Sequence, residues 1–235
     1  MVNFQNVFKS FGQNQVLKGI DLNISGGGII AVLGPNGSGK TTLIKILLGM
    51  VIPNSGSIKV IGEDIRKRPH YRNKISYLPQ SANFPHNLKV KELIKMIKDL
   101  RPTQADDQQL IKQFKLEPFL DKKLVHLSGG TKQKINIVLT FMFDSSILVL
   151  DEPTTGLDPL SLIQLKDIIK AEKQKGKTIV ITSHIMSFVE EIADEVVFLL
   201  EGKIYFKGSI PKLKKSTKQP NLEHAIGTIL SNHHA

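Results

Sequence analysis

Residues 29–41 read Ile29-Ile30-Ala31-Val32-Leu33-Gly34-Pro35-Asn36-Gly37-Ser38-Gly39-Lys40-Thr41. Five unbroken apolar residues have the length and composition of a strand buried on both faces. The glycine-rich stretch that follows fits G-x-x-x-x-G-K-[ST]. Thr41 to Leu48 then reads as a helix, with Leu43, Ile44, Leu47 and Leu48 on one face and Gly49 as its stop. A strand, a glycine-rich loop and a helix in this order make a phosphate site. The loop can curl so that successive N–H groups point at phosphate oxygens. The helix adds the positive end of its dipole. Lys40 is expected to bridge the β- and γ-phosphates of a nucleotide, and the Thr41 hydroxyl to ligate Mg2+.

Three more strand-length apolar runs follow: Ile147–Leu150, Thr178–Thr182 and Val196–Leu200. Helical patterns separate them, Leu160 to Glu172 and Met186 to Ala193. This alternation predicts an α/β fold with a parallel sheet and right-handed crossovers. The Ile147 run ends in Asp151-Glu152, at the sheet edge where such folds bind ligands. Asp151 is placed to hold Mg2+, directly or through water, and Glu152 to polarise an attacking water. Upstream, Ile20, Leu22 and Ile24 alternate with polar neighbours, as does Ile58-Lys59-Val60. These predict a small N-terminal antiparallel sheet. Val90 to Leu100 has helical spacing, and Leu110, Ile111, Phe114 and Leu116 suggest a second helix.

With 40% hydrophobic and 23% charged residues the chain has globular composition, which excludes a disordered or fibrous protein. It has no cysteine, so disulfides and thiolate metal sites are excluded and a reducing compartment is expected. The N-terminus lacks a signal pattern, and no apolar run approaches the about 18 residues of a membrane span. Work at a membrane would need a second, spanning chain. The net charge is +11, from 32 Lys and Arg against 21 Asp and Glu, which favours polyanions. Residues 202–235 hold six lysines against Glu223 alone, and read as a solvated basic tail in preference to a membrane or nucleic-acid patch, with a terminal helix expected over Ala225 to Leu230. Only three Tyr and no Trp argue against base stacking, so no specific nucleic-acid partner is expected.

To this point the chain is a P-loop NTPase of unspecified kind. Leu127-Ser128-Gly129-Gly130-Thr131-Lys132-Gln133 resembles the LSGGQ signature of the ATP-binding cassette (ABC) ATPases. Around it, Gln80 matches the Q-loop, Thr155-Gly156-Leu157-Asp158 the D-loop and His184 the switch histidine. Phe11, in Lys9-Ser10-Phe11-Gly12, aligns with the adenine-stacking aromatic. The resemblance spans about residues 2–210 and departs at Thr131, where the family has Gln, and at Gly28, often Glu.

The resemblance implies a set of roles. ATP is held by Phe11, by Gly34, Pro35, Asn36, Gly37, Ser38, Gly39, Lys40, Thr41 and Thr42, and by Ser128, Gly129, Gly130 and Asp158 across a dimer. Mg2+ is held by Thr41, Gln80 and Asp151, and catalysis falls to Glu152, His184, Gln80 and Lys40. The signature completes the opposite subunit's site, so a head-to-tail homodimer suffices. Residues 1–87 and 127–210 are expected to form the RecA-like nucleotide-binding core with its antiparallel sheet. Residues 88–126 would be a helical subdomain, and 211–235 a basic C-terminal tail. The function implied is the ATP-hydrolysing subunit of an exporter-type ABC transporter. It would energise integral membrane permease subunits from the cytoplasmic face of the inner or plasma membrane, as a peripheral protein. The alternative is a soluble ABC ATPase acting on ribosomes or nucleic acid. Leu127 to Asn136 looks like the copper-processing ATPases that mature nitrous oxide reductase. Residues 81–88, with Phe84 and Leu88, would receive the membrane partner, and Lys89, Lys91, Lys95 and Lys98 would face anionic lipid.

Overall fold

Apolar runs and glycine punctuation produce two sheets in the computed structural model, which describes residues 1–67, 69–81, 83–101 and 103–234. In chain order, β1 (Val2–Phe11) and β2 (Asn14–Ile24) lead to β3 (Gly28–Leu33) and α1 (Lys40–Leu47). Next come β4 (Ser55–Val60), β5 (Glu63–Asp64), β6 (Ile75–Leu78), α2 (Val90–Leu100), α3 (Gln108–Gln113) and α4 (Gly129–Phe141). The remainder is β7 (Ile147–Asp151), α5 (Pro159–Gln174), β8 (Thr178–Thr182), α6 (Met186–Ile192), β9 (Glu195–Leu200), β10 (Lys203–Ser209), α7 (Ile210–Thr217) and α8 (Leu222–His234).

The larger sheet has the order β10-β9-β3-β8-β7-β6. Its five strands from β9 to β6 are parallel, and β10 closes one edge antiparallel. Every residue of β3, β7 and β8 is buried, which is why these segments are apolar without alternation. The smaller sheet, β2-β1-β4-β5, is antiparallel throughout. One apolar cluster lies between the two sheets around α1, with Phe4, Leu22, Ile46 and Val149. The other lies on the opposite face of the large sheet and is shared by α2 to α8.

Two expectations are corrected. The basic C-terminal segment is not a solvated tail. Ile210, Leu213, Leu222, Ala225, Ile226 and Ile229 are buried in the same cluster as Phe188, Val189 and Ile192 of α6. Lysines project from the outer face of α7, and Lys214 turns inward to pair with Glu190 at 2.7 Å. Nor is Lys98 free for lipid, because it binds the buried Asp107 at 2.7 Å. In the segment expected to dock a partner, Phe84 and Leu88 are half-buried against the helical cluster, and Ala82 lies outside the described residues. Among the described residues, no helix is long and apolar enough to cross a membrane.

Candidate active site

The phosphate loop sits at the C-terminal edge of β3 and runs into α1. Its first glycine is fixed by contact: a Cβ on Gly34 would stand 2.2 Å from the Leu199 carbonyl oxygen of β9, and its φ is +148°. Only glycine lets the two backbones approach so closely. Gly39, also left-handed, precedes α1. The Lys40 ammonium donates to the carbonyls of Gly34 at 2.7 Å and Pro35 at 3.0 Å. Burial lowers its pKa, and the charges of Glu152 and Asp151 oppose that shift. Thr41 is exposed and Thr42 half-buried in the first turn of α1, with Pro35, Asn36 and Gly37 exposed at the loop's crest.

Asp151 ends β7 buried, and its carboxylate accepts the Thr182 hydroxyl of β8. From β6 on the other side, the Tyr77 phenol feels the same carboxylate. Burial, then the Asp151 charge, push the Tyr77 phenol up to about 12. Glu152 is the strained residue of the site, with φ +48°. A non-glycine residue pays on the order of 1–3 kcal/mol for such a conformation and keeps it only where its surroundings enforce it. Here the Glu152 N–H donates to both the Thr182 carbonyl and its hydroxyl, each at 3.1 Å. Its carboxylate receives the His184 N–H at 3.3 Å and lies 2.7 Å from His184 Nδ1. The His184 ring is otherwise open, with 73% of the side chain exposed. Gln80, exposed just past β6, follows Pro79, whose carbonyl is held by Asn136 at 3.0 Å.

The signature forms the N-terminus of α4. Ser128 caps it, accepting from Thr131 N–H at 3.3 Å, and Ser128 and Gly129 are exposed. Gly130 packs on the D-loop, where a Cβ would come within 2.7 Å of the Gly156 carbonyl. Among the described residues no hydrogen bond or ion pair joins residues 128–130 to residues 34–42. Asp158 is engaged locally: it caps α5 through Ser161 N–H at 2.9 Å and pairs with Lys134 at 2.7 Å, which together hold its carboxyl well below the usual range. Phe11 ends β1 about half exposed, with Lys9 Nζ 4.8 Å from its ring centre.

The structure thus brings Asp151, Glu152 and His184 together by the phosphate loop that carries Lys40, and packs Gly130 of the signature on the D-loop that leads to Asp158. Thr182 and Tyr77, absent from the sequence-derived set, are the residues that interact with the Asp151 carboxylate. A threonine ending the strand two residues before His184 was the available signal for the first.

The Thr41 hydroxyl, the Asp151 carboxylate and the Gln80 amide are oxygen donors of the kind a hard cation takes. The buried Ser38 hydroxyl has no hydrogen-bond partner among the described residues. Both features fit a nucleotide with Mg2+.

Comparisons with known proteins identify the family. The ABC transporter family model matches residues 17–155. The lantibiotic transport ATP-binding protein SrtF of Streptococcus pyogenes is 36% identical over 205 residues, covering 87% of this chain and 89% of the relative. The Nod factor export ATP-binding protein I of Burkholderia lata is 34% identical over 214 residues, covering 88% and 70%. A solved structure of the ATP-binding subunit of an ABC transporter superposes with a TM-score of 0.90 at 26% identity, covering 96% of this chain and 98% of that one. The chain belongs to the ABC transporter family, as an ATP-binding subunit. These relatives give no support to the nitrous oxide reductase branch.

Proposed function

We propose that the chain binds ATP with Mg2+, hydrolyses it to ADP and phosphate, and does so as a head-to-tail pair that drives a membrane-embedded partner. The observation that carries the chemistry is the Glu152 carboxylate, buried just past β7 and 2.7 Å from His184 Nδ1. Lys40 would exchange its two loop carbonyls for phosphate oxygens. Thr41, Asp151 and Gln80 would hold Mg2+, which offsets phosphate charge when bound. Glu152 accepts a proton from the attacking water, and His184 fixes the carboxylate and presents its other nitrogen to the γ-phosphate. Phe11 offers an open ring to adenine.

The pairing follows from the exposed α4 N-terminus. Ser128 and its neighbouring N–H groups form an anion site that their own loop does not meet, so a second copy's nucleotide is the ligand they suit. Names of the relatives, one for export and one for transport, support an outward-pumping role at the cytoplasmic membrane face. Co-purification with an integral membrane protein from its native cells tests that partner, and its absence under mild detergent counts against it.

The chemistry is tested with purified protein. Lys40→Ala should weaken Mg-ATP binding, since it deletes the cation at the phosphates. Glu152→Gln should keep binding and lose at least about 100-fold in turnover, the usual scale of a general base. Wild-type turnover by Glu152→Gln overturns the assignment.

A further inference from the structure

Glu201 and Gly202 form the two-residue turn between β9 and β10, with Leu200 paired to Lys203 across it. Both are left-handed, φ +47° and +78°, as a hairpin of this length requires. The turn lies far along the chain from the phosphate loop but touches it. Gly202 N–H donates to the Ser38 carbonyl at 3.2 Å, and the Gly202 carbonyl accepts from Lys18 N–H of β2 at 2.8 Å. A Cβ on Gly202 would stand 2.4 Å from the Val16 carbonyl oxygen, which itself lies 3.1 Å from where a Cβ on Gly39 would be. Turn, strand β2 and phosphate loop are therefore in backbone contact at one point.

The geometry of a trans peptide gives this contact a consequence. The carbonyl of Ser38 and the N–H of Gly39 belong to one rigid plane and point in opposite directions. Gly202 draws the Ser38 carbonyl outward, toward β10. The Gly39 N–H must then face the inside of the loop, where an anion would accept from it. We propose that Gly202 is a positioning residue for nucleotide binding: its N–H sets the Ser38–Gly39 peptide so that the loop's donors are aimed before the ligand arrives. This deepens the phosphate-loop reading and rests on it.

A second turn in the same chain supplies the control. Ile61-Gly62, between β4 and β5, has φ +52° and +81°, and a Cβ on Gly62 would meet nothing within 4 Å. Ala in place of either glycine carries the same backbone strain, but only Gly202→Ala disturbs the loop. Mg-ATP affinity is measured by titration alongside the melting temperature of the nucleotide-free protein. Gly202→Ala should weaken binding about tenfold, the worth of one well-placed hydrogen bond, and raise KM more than it lowers kcat. Gly62→Ala should melt lower and bind as the wild type does. Folded Gly202→Ala with wild-type affinity overturns the inference. If Gly202→Ala does not fold, hydrogen exchange on the wild-type protein decides. Mg-ATP should slow exchange in the peptide carrying Gly202 and leave the one carrying Gly62 alone, and equal response in both overturns the proposal. A wild-type chain that binds no Mg-ATP removes the phosphate-loop reading itself, and this inference with it.

Discussion

Glu152 and Ile61 share a left-handed backbone, at φ +48° and +52°, and differ in what holds them there. Two bonds from Thr182 and two contacts with His184 enforce the first. Ile61 has its N–H bonded to the Met1 carbonyl at 2.7 Å, and its side chain is 42% exposed. A β-branched residue is a poor fit to this region, whereas asparagine tolerates it. Ile61→Asn keeps the N–H and should therefore stabilise the protein by about 1 kcal/mol, raising the melting temperature by about 2–4 °C. A lower melting temperature would show that the Ile61 side chain contributes more by packing than it costs in strain. Lys40, Asp151 and Glu152 stand out in the sequence through motif spacing, and His184 through the family resemblance. Tyr77, Thr182 and Gly202 do not. Each acts through a neighbour brought close by strand register, which spacing along the chain does not encode.

Helix α5 begins with three cooperating residues. Asp158 caps it, Pro159 occupies its first turn, where no N–H is needed, and Ser161 returns both N–H and hydroxyl to the cap. Asp158→Ala should cost about 1 kcal/mol of stability, while Asp158→Asn, which retains a capping oxygen, should cost less. The sign of the pH dependence follows from the depressed carboxyl. Lys134 and the Ser161 donors favour the charged form, so this contribution is complete above the ordinary carboxylate pKa and is lost as the solution is acidified below it. Acid titration of melting temperature for the wild type and Asp158→Ala should therefore converge at low pH. Parallel curves would argue that Asp158 titrates as a free carboxylate. At this scale the buried strands and α2 to α6 were readable from their apolar periods. Strand β10 was not, because Lys203-Ile204-Tyr205-Phe206-Lys207 is an edge with exposed alternate positions and charged ends. The lysine run of α7 masked Ile210 and Leu213, whose burial depends on the face α6 offers them.

At the scale of the whole molecule, the exposed start of α4 is, in the proposed function, half of a site that a second copy completes, since among the described residues no hydrogen bond or ion pair joins residues 128–130 to residues 34–42. ATP should draw two copies together, because it binds the closed pair better than the single chain. Glu152→Gln, which would trap the unhydrolysed nucleotide, should sediment as a dimer at saturating Mg-ATP and as a monomer without it. Persistent monomer under both conditions, with ATP bound, would refute the head-to-tail arrangement. Strand β3 has a further consequence, for synthesis. Its two neighbours in the sheet are β8 and β9, joined through pairs such as Gly28 with Thr178 and Ala31 with Val196. The ribosome makes the phosphate loop well before either support. A nascent chain that ends before Thr178 carries the whole loop sequence on an unpaired apolar strand, prone to aggregate and not ready to bind nucleotide. That exposure ends only when β8 and β9 have been made.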